Sequence, residues 1–286
     1  MQDLTILAIP AFLGLLALEY FVAHRRGRDI QETRDTATSL SLGVGSLVVG
    51  AVWQVAIAGL SIGVYQLSPF ALEGGVWLFV LALVADDFAY YWFHRLHHEV
   101  RVLWASHVPH HSSQRYNLST ALRQSWTPFT SLPFYLPLAL FFNPLLIATV
   151  HGINLLYQFW IHTELIGRLG PVEWIFNTPS HHRVHHGANV QYLDRNYAGI
   201  FIVWDRLFGT FEPEGEPVRF GLTKNIDRFN PFNAAFHEFG AVLRDAATAG
   251  TLRDAFGYLL RPPGWKPRGA GATATDLKRS AGLVTG

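Results

Sequence analysis

Long apolar runs separated by short polar connections dominate the polarity pattern of this chain. Residues 4–23 carry a single charge, Glu19, and residues 40–65 carry none. Residues 76–93 are apolar apart from Asp86, Asp87 and a few aromatic hydroxyls. Two further runs, 129–142 and 145–161, are separated by Asn143-Pro144 and read as a hairpin. Runs of about 17–25 apolar residues are long enough to cross a bilayer as helices. The 129–142 run is shorter and contains Pro133 and Pro137, which predicts a broken or re-entrant segment. The pattern predicts an all-α integral membrane protein with four to five membrane-embedded helices.

Composition strengthens that reading. Half of the 286 residues are hydrophobic and only 15% are charged, too apolar a balance for so many runs to hide in one soluble core. The first run has no basic segment before it and no small-residue cleavage site after it, so a retained helix is expected rather than a signal peptide. The loop "HRRGRDIQETR" holds Arg25, Arg26, Arg28 and Arg34, whereas "QLSPFALEGG" at 66–75 holds no cation. Positive-inside logic puts the first loop in the cytoplasm and the second outside. The third helix then returns to deliver His94 to the cytoplasmic face, and the last pair of runs brings His162 to the same side.

The remaining chain reads as a cytoplasmic cap over about residues 163–260. Within it, "YAGIFIVWDRLFGTF" suggests short strands or buried turns, and residues near 231–247 and 250–260 have helical periodicity suited to a membrane surface. Residues 1–260 are expected to form a single membrane-embedded domain. Residues 261–286, rich in Pro and Gly, are expected to be a disordered polar tail. The "GAGATA" within that tail follows no strand, so it carries no dinucleotide site.

The chemistry lies in the histidines. Twelve of 14 fall between His94 and His186, in "HRLHH", "HVPHH" and "HHRVHH" with outliers between. On a helix, positions i, i+3 and i+4 share a face. His94 pairs with His98 and continues a stripe from Asp87 and Tyr91. His107 pairs with His110 and His111, with Pro109 taken as the start of a helix, and His182 pairs with His185 and His186. One metal accepts about six ligands at most, so eight imidazoles imply two metals with about four each. Imidazole suits Zn, Cu, Fe and Ni alike. His162 is a candidate ninth ligand. His97 and His181 lie beside the motifs, with His181 a candidate for the surrounding layer, and His151 reads as a pocket or packing residue. Neutral ligands leave the metal charge uncompensated, so Asp87, Glu99, Glu164 and Asp205 are candidates to hold the free ring N–H groups, against helix-end solvation or an ion pair with a nearby Arg for each. Asn189, Asn196 and Asp205 are candidates to order the loops after the last motif. Tyr91, Trp92, Trp104, Trp126, Tyr157, Phe159 and Trp160 are candidates to line a lipid slot.

Other classes fare less well. Cysteine is absent, which removes disulfides, thiolate zinc and Fe–S clusters, and the one methionine, Met1, leaves no thioether copper site. A net charge of +1 without a basic patch gives no nucleic-acid footprint. A zinc hydrolase would usually place a carboxylate base within its histidine motif, as in H-E-x-x-H, which is absent. A transporter would hold its ligands near the bilayer midplane rather than at one face.

"DDFAYYWFHRLHHEVRVLWASHVPHHSS" and "HHRVHHGANVQYLDRNYAGIFIVWDRLFGTF" resemble the fatty acid hydroxylase/sterol desaturase superfamily of membrane di-iron oxygenases. The resemblance covers about residues 80–225. Within the superfamily, "RYNLSTALRQS" and "LLYQFWIHTELIGRLGPVEWIFNTPSHHRVHHG" look most like the members that oxidise ether-linked glycerolipids. The resemblance implies metal ligands at His94, His98, His107, His110, His111, His182, His185 and His186, with a matching histidine at His162. It implies two Fe ions (with Zn able to replace them in a purified sample), O2, and oxidation of a membrane-lipid C–H bond. An electron-transfer protein or a diffusible reductant such as a reduced pterin is then required, because the chain has no nicotinamide motif of its own.

Overall fold

The computed structural model describes residues 4–226 and 229–284. Its helices run α1 (Leu4–Leu7), α2 (Ile9–Arg25), α3 (Thr33–Leu67), α4 (Val76–Glu99), α5 (Arg101–His111), α6 (Leu132–Tyr135), α7 (Pro144–Trp160), α8 (Pro179–His185), α9 (Val203–Leu207), α10 (Pro231–Ala247), α11 (Leu252–Leu260) and α12 (Ala274–Ser280). Among the described residues there is no strand, only isolated bridges at Phe176–Phe201 and Gly187–Phe220. The segment from Tyr197 to Phe211 therefore forms buried turns and α9, not strands.

Among the described residues two helices, α3 and α4, are long and apolar enough to cross a membrane. At ~1.5 Å per residue they extend about 52 Å and 36 Å, against a hydrocarbon core of ~30 Å. α2 and α7 have 17 residues each, about 26 Å, too short to meet the same measure. The 129–142 run is broken, as its prolines predict. Pro128, Pro133 and Pro137 each remove a backbone donor, and the segment alternates between 3₁₀ turns and α6.

α4 explains how the bundle meets the cap. Its buried side chains, Asp87, Tyr90, Tyr91, His94, His97 and His98 among them, recur at helical spacing and form one inward face. Val100 is extended and ends the helix, so α5 turns back against α4. Pro109 lies inside α5 near its end, not at its start as the sequence suggested. The carbonyl of Pro109 is put to use by Arg123, whose Nε donates to it at 2.8 Å. α7 begins at Pro144, with the Asn143 side chain accepting from Leu145 N, and packs on α4.

Over residues 261–284 the chain makes tight turns and then α12, opened by a reciprocal cap between Thr273 and Asp276. Gly257 and Gly264 explain how a Pro/Gly-rich stretch becomes ordered. A Cβ at Gly257 would fall 2.4 Å from the Trp265 ring, and Gly264 takes a positive φ of 83°. Lys278 of α12 is then buried near Asp194.

Candidate metal centre

Four segments deliver the imidazoles. α4 presents His94 and His98, α5 presents His107, His110 and His111, and α8 with its C-cap presents His182, His185 and His186. His162 follows the C-cap of α7. The fold brings these nine histidines into two groups: His94, His98, His107, His111 and His185, and then His110, His162, His182 and His186. Within each group the candidate ligand atoms lie within 4.8 Å of one another. The adjacent pairs His110–His111 and His185–His186 are each split between the groups, so the groups abut. The rings of His111 and His186 stack at 4.3 Å.

Hydrogen bonding to the backbone fixes ring chemistry. Nδ1 of His94 donates to the Tyr197 carbonyl at 2.7 Å, Nδ1 of His162 to Gln158 at 2.7 Å, and Nδ1 of His185 to Arg195 at 3.0 Å. A carbonyl only accepts, and a neutral imidazole donates from one nitrogen, so the Nε2 atoms of these three rings are bare lone pairs. Those lone pairs face other rings at close range: His94 to His107 at 3.0 Å, His185 to His111 at 3.1 Å, and His162 to His182 at 2.9 Å. His98 Nε2, His110 Nδ1, His182 Nδ1 and His186 Nε2 are buried with no protein partner.

Protons are a poor way to satisfy this convergence. Burial pushes His110 down to about 4 and His185 to about 3. Burial also holds His107, His111, His182 and His186 well below the usual imidazole value, with neighbouring imidazoles adding to the effect. The rings are thus neutral near pH 7 and their lone pairs are available to a cation. An all-nitrogen donor set of this size fits two transition-metal ions.

The acids are arranged differently from the sequence reading. Asp87 holds no ring; it accepts from the backbone N–H groups of Ile200 and Phe201 at 2.6 and 2.9 Å, and from Trp204 Nε1 at 3.0 Å. Asp205 accepts from Tyr197 N and Ala198 N, both at 2.8 Å, and from Thr210 Oγ1 at 2.6 Å. Both carboxylates brace the loop whose carbonyls hold the rings. Glu99 is taken by Arg95 at 2.9 Å, and Glu164 lies in the field of Arg28, Arg183 and Arg115. The reason is chemical: backbone carbonyls already supply neutral acceptors to the rings, so charged ones are free to satisfy buried N–H groups. Asn189 joins the loop to Pro217 and Arg219, and Asn196, at φ 56°, joins it to His181 and Glu212.

The outlying histidines sort cleanly. His97 donates to Phe93 O and meets Thr130 Oγ1 at 3.0 Å, outside both groups. His181 packs on Phe211, and His151 meets Asp86 at 3.2 Å and the Tyr135 ring. The aromatic candidates are scattered. Trp104 faces His98 and His111, but Phe159 stacks on Phe12 and Trp126 bonds to α3. Sequence reasoning missed Asp194, 3.9 Å from His98 Nδ1, and the carbonyls of Gln158, Arg195 and Tyr197. A side-chain pattern carries no signal for a carbonyl. For Asp194, the clue was "LDRN", where Asp and Asn tolerate the positive φ that both adopt here.

Comparison with known proteins places the histidine motifs within a family match. The fatty acid hydroxylase family model matches residues 79–210. Alkylglycerol monooxygenase from Homo sapiens is 44% identical over 285 residues, covering 98% of this chain and 63% of the relative. The Xenopus tropicalis alkylglycerol monooxygenase is 43% identical, over 90% of this chain and 58% of the relative. The ornithine lipid hydroxylase OlsE of Rhizobium tropici is 32% identical over 51% of this chain and 46% of its own length. The chain thus spans about three-fifths of the length of its alkylglycerol monooxygenase relatives from human and frog. No solved structure matches. Residues 79–210, which carry all nine grouped histidines, are a fatty acid hydroxylase domain.

Proposed function

We propose that this chain is a membrane-embedded, dioxygen-dependent lipid monooxygenase that oxidises a C–H bond, with an alkylglycerol ether lipid as the first substrate to try. The observation that carries the reading is the pair of abutting all-histidine groups at the inner end of an apolar helix, α4. The names of the relatives, alkylglycerol monooxygenase and ornithine lipid hydroxylase, support lipid as the substrate class. In this reading residues 1–260 form one membrane domain with four to five embedded helices, and the metal face is cytoplasmic, on the side of Arg25, Arg26, Arg28 and Arg34.

Two iron ions would be held, one by His94, His98, His107, His111 and His185, the other by His110, His162, His182 and His186. Bound iron would supply the activation of dioxygen and the redox capacity to cleave a C–H bond. The protein's part is positioning. The carbonyls of Tyr197, Gln158 and Arg195 fix three ring tautomers so that Nε2 faces the centre. Asp205 and Asp87 fix the loop that carries the Tyr197 carbonyl. Tyr91, Tyr197, Ile161 and Val184 are fully buried around the rings and keep bulk water out. Reducing equivalents come from an electron-transfer protein or a diffusible reductant, a reduced pterin among the candidates.

The test is metal content together with isotope incorporation. Protein from iron-replete cells should contain two irons per chain. Given a reductant, it should place one atom of labelled dioxygen in an alkylglycerol product. Product formed without oxygen, or label arriving only from water, would overturn the monooxygenase reading. A reporter near Gly74 should read external and one following residue 284 cytoplasmic; the reverse would overturn the orientation.

A further inference from the structure

α10 and α11 pack against the metal-bearing α5, yet each turns an apolar row outward. On α10 the row is Phe232, Phe236, Phe239 and Leu243, at helical spacing; Phe232 is 67% exposed and Leu243 65%. On α11 it is Leu252, Phe256 and Leu260, with Leu252 80% exposed. At about 100° per residue α10 has three faces. Ala234, Ala235 and Val242 face the protein, Asn233, His237 and Arg244 face a polar side, and the phenylalanines face a third.

The position of this third face relative to α3 says what covers it. Leu42 of α3 packs on Ala234 and Ala235, and Trp126 bridges the two helices. The Trp126 indole donates to the Leu42 carbonyl at 2.9 Å while its ring meets Phe232 at 5.2 Å. Buried residues of α3, Asp35, Thr38, Ser39 and Leu42, all precede residue 43. Beyond it, residues 43–67 extend about 37 Å, enough for a hydrocarbon core of ~30 Å, and the apolar window of this helix is 0% buried. The bilayer boundary on α3 thus falls next to Trp126, an indole at the depth where interfacial tryptophans gather. The outward row of α10 starts at that boundary. Arg244, Arg253 and Arg261 are exposed on these helices or at the end of α11, and suit anionic headgroups.

We infer that α10 and α11 form an in-plane platform whose phenylalanine and leucine row is seated in the headgroup and upper acyl region of the cytoplasmic leaflet. The inference rests on α3 spanning a membrane. Arg101 of α5 is tied to α10 by Glu238 at 2.8 Å and Asp245 at 2.7 Å. The platform therefore sets the height of His107, His110 and His111 above the lipid.

The absence of cysteine makes the test clean. Leu243→Cys, Phe256→Cys, Arg244→Cys and Val52→Cys, each bearing a polarity-sensitive fluorophore, are placed in lipid nanodiscs. Labels at 243 and 256 should emit at shorter wavelength, be quenched by brominated lipid and resist aqueous iodide; the label at 244 should do the opposite. Iodide quenching at 243 and 256 equal to that at 244 overturns the platform. Protection from both quenchers also overturns it, since a second copy or another protein then covers the row. The label at 52 separates the two readings: if lipid fails to quench it, α3 is not a span, whereas lipid quenching at 52 alone removes only the platform. None of these measurements needs iron or turnover, so failure here leaves the oxygenase reading standing.

Discussion

Replacing Asp205 by alanine should damage stability and metal binding together, by separable routes. The carboxylate is fully buried and accepts from Tyr197 N, Ala198 N and Thr210 Oγ1. Alanine leaves two backbone N–H groups without partners, each at a cost of ~1–3 kcal/mol, so a loss of about 2–6 kcal/mol is expected. The same substitution frees the Tyr197 carbonyl, which orients His94 through Nδ1 at 2.7 Å. Loss of an outer partner of a metal-ligating histidine typically lowers affinity ~10–100-fold. Urea unfolding of the metal-free protein in detergent measures the first effect. Competition for iron against a calibrated chelator, under conditions where the variant is folded, measures the second. If Asp205→Ala is folded and binds iron as tightly as the parent, the chain of reasoning from carboxylate to carbonyl to ring is refuted.

Three other outcomes follow from the same geometry. The metal-free protein should lose stability as pH falls from about 6.5 toward 4. The cause is that His110 and His185 are held at about 4 and about 3 when folded, so only the unfolded chain takes up protons in that window; a flat urea midpoint across it would contradict their burial. His97→Ala should retain both metals while His107→Ala loses one, checked by metal analysis, because His97 is engaged by Phe93 O and Thr130. Gly199→Ala should cost about 1–3 kcal/mol by overpacking. Its Cβ would fall 2.6 Å from Asn154 Oδ1 and 2.7 Å from Asp87 Oδ1, and thermal unfolding equal to the parent's would show that this corner is looser than described.

What could be read from the sequence tracks how local the cause is. The break at Pro128, Pro133 and Pro137 and the helices at 231–247 and 252–260 follow from propensity and periodicity, and the chain alone reveals them. The histidine motifs were legible for the same reason: i, i+3 and i+4 spacing is a property of one helix. The partition into groups was not legible, because it depends on how α5 folds back on α4 and splits His110 from His111. The acids were misassigned for a related reason. Asp87 and the N–H of Ile200 are 113 positions apart, and nothing local pairs them. Pro109 misled because proline more often opens a helix than sits in its last turn.

If the nine neutral imidazoles hold two metals as proposed, the metal charge has no anionic ligand, which would give the carboxylate beside His98 a distinct part. Asp87 and Asp205 spend their oxygens on backbone N–H groups, but among the described residues Asp194 makes no such bond; its Oδ1 stands 3.9 Å from His98 Nδ1. Burial pushes Asp194 up to about 6, and the neighbouring Lys278 opposes that rise. Asp194→Asn keeps the shape and removes the charge. Among the described residues no backbone group depends on this side chain, so the stability lost should be that of the charge facing the buried Lys278, less than the about 2–6 kcal/mol of Asp205→Ala. Iron affinity should nevertheless fall ~10-fold or more, the usual penalty for losing a carboxylate that supports a ligating histidine. Asp205→Ala should lose stability and affinity together, whereas Asp194→Asn should lose affinity with the smaller stability change. Equal iron affinity in Asp194→Asn and the parent would mean that the 3.9 Å contact is incidental and that His98 binds metal without help from a carboxylate.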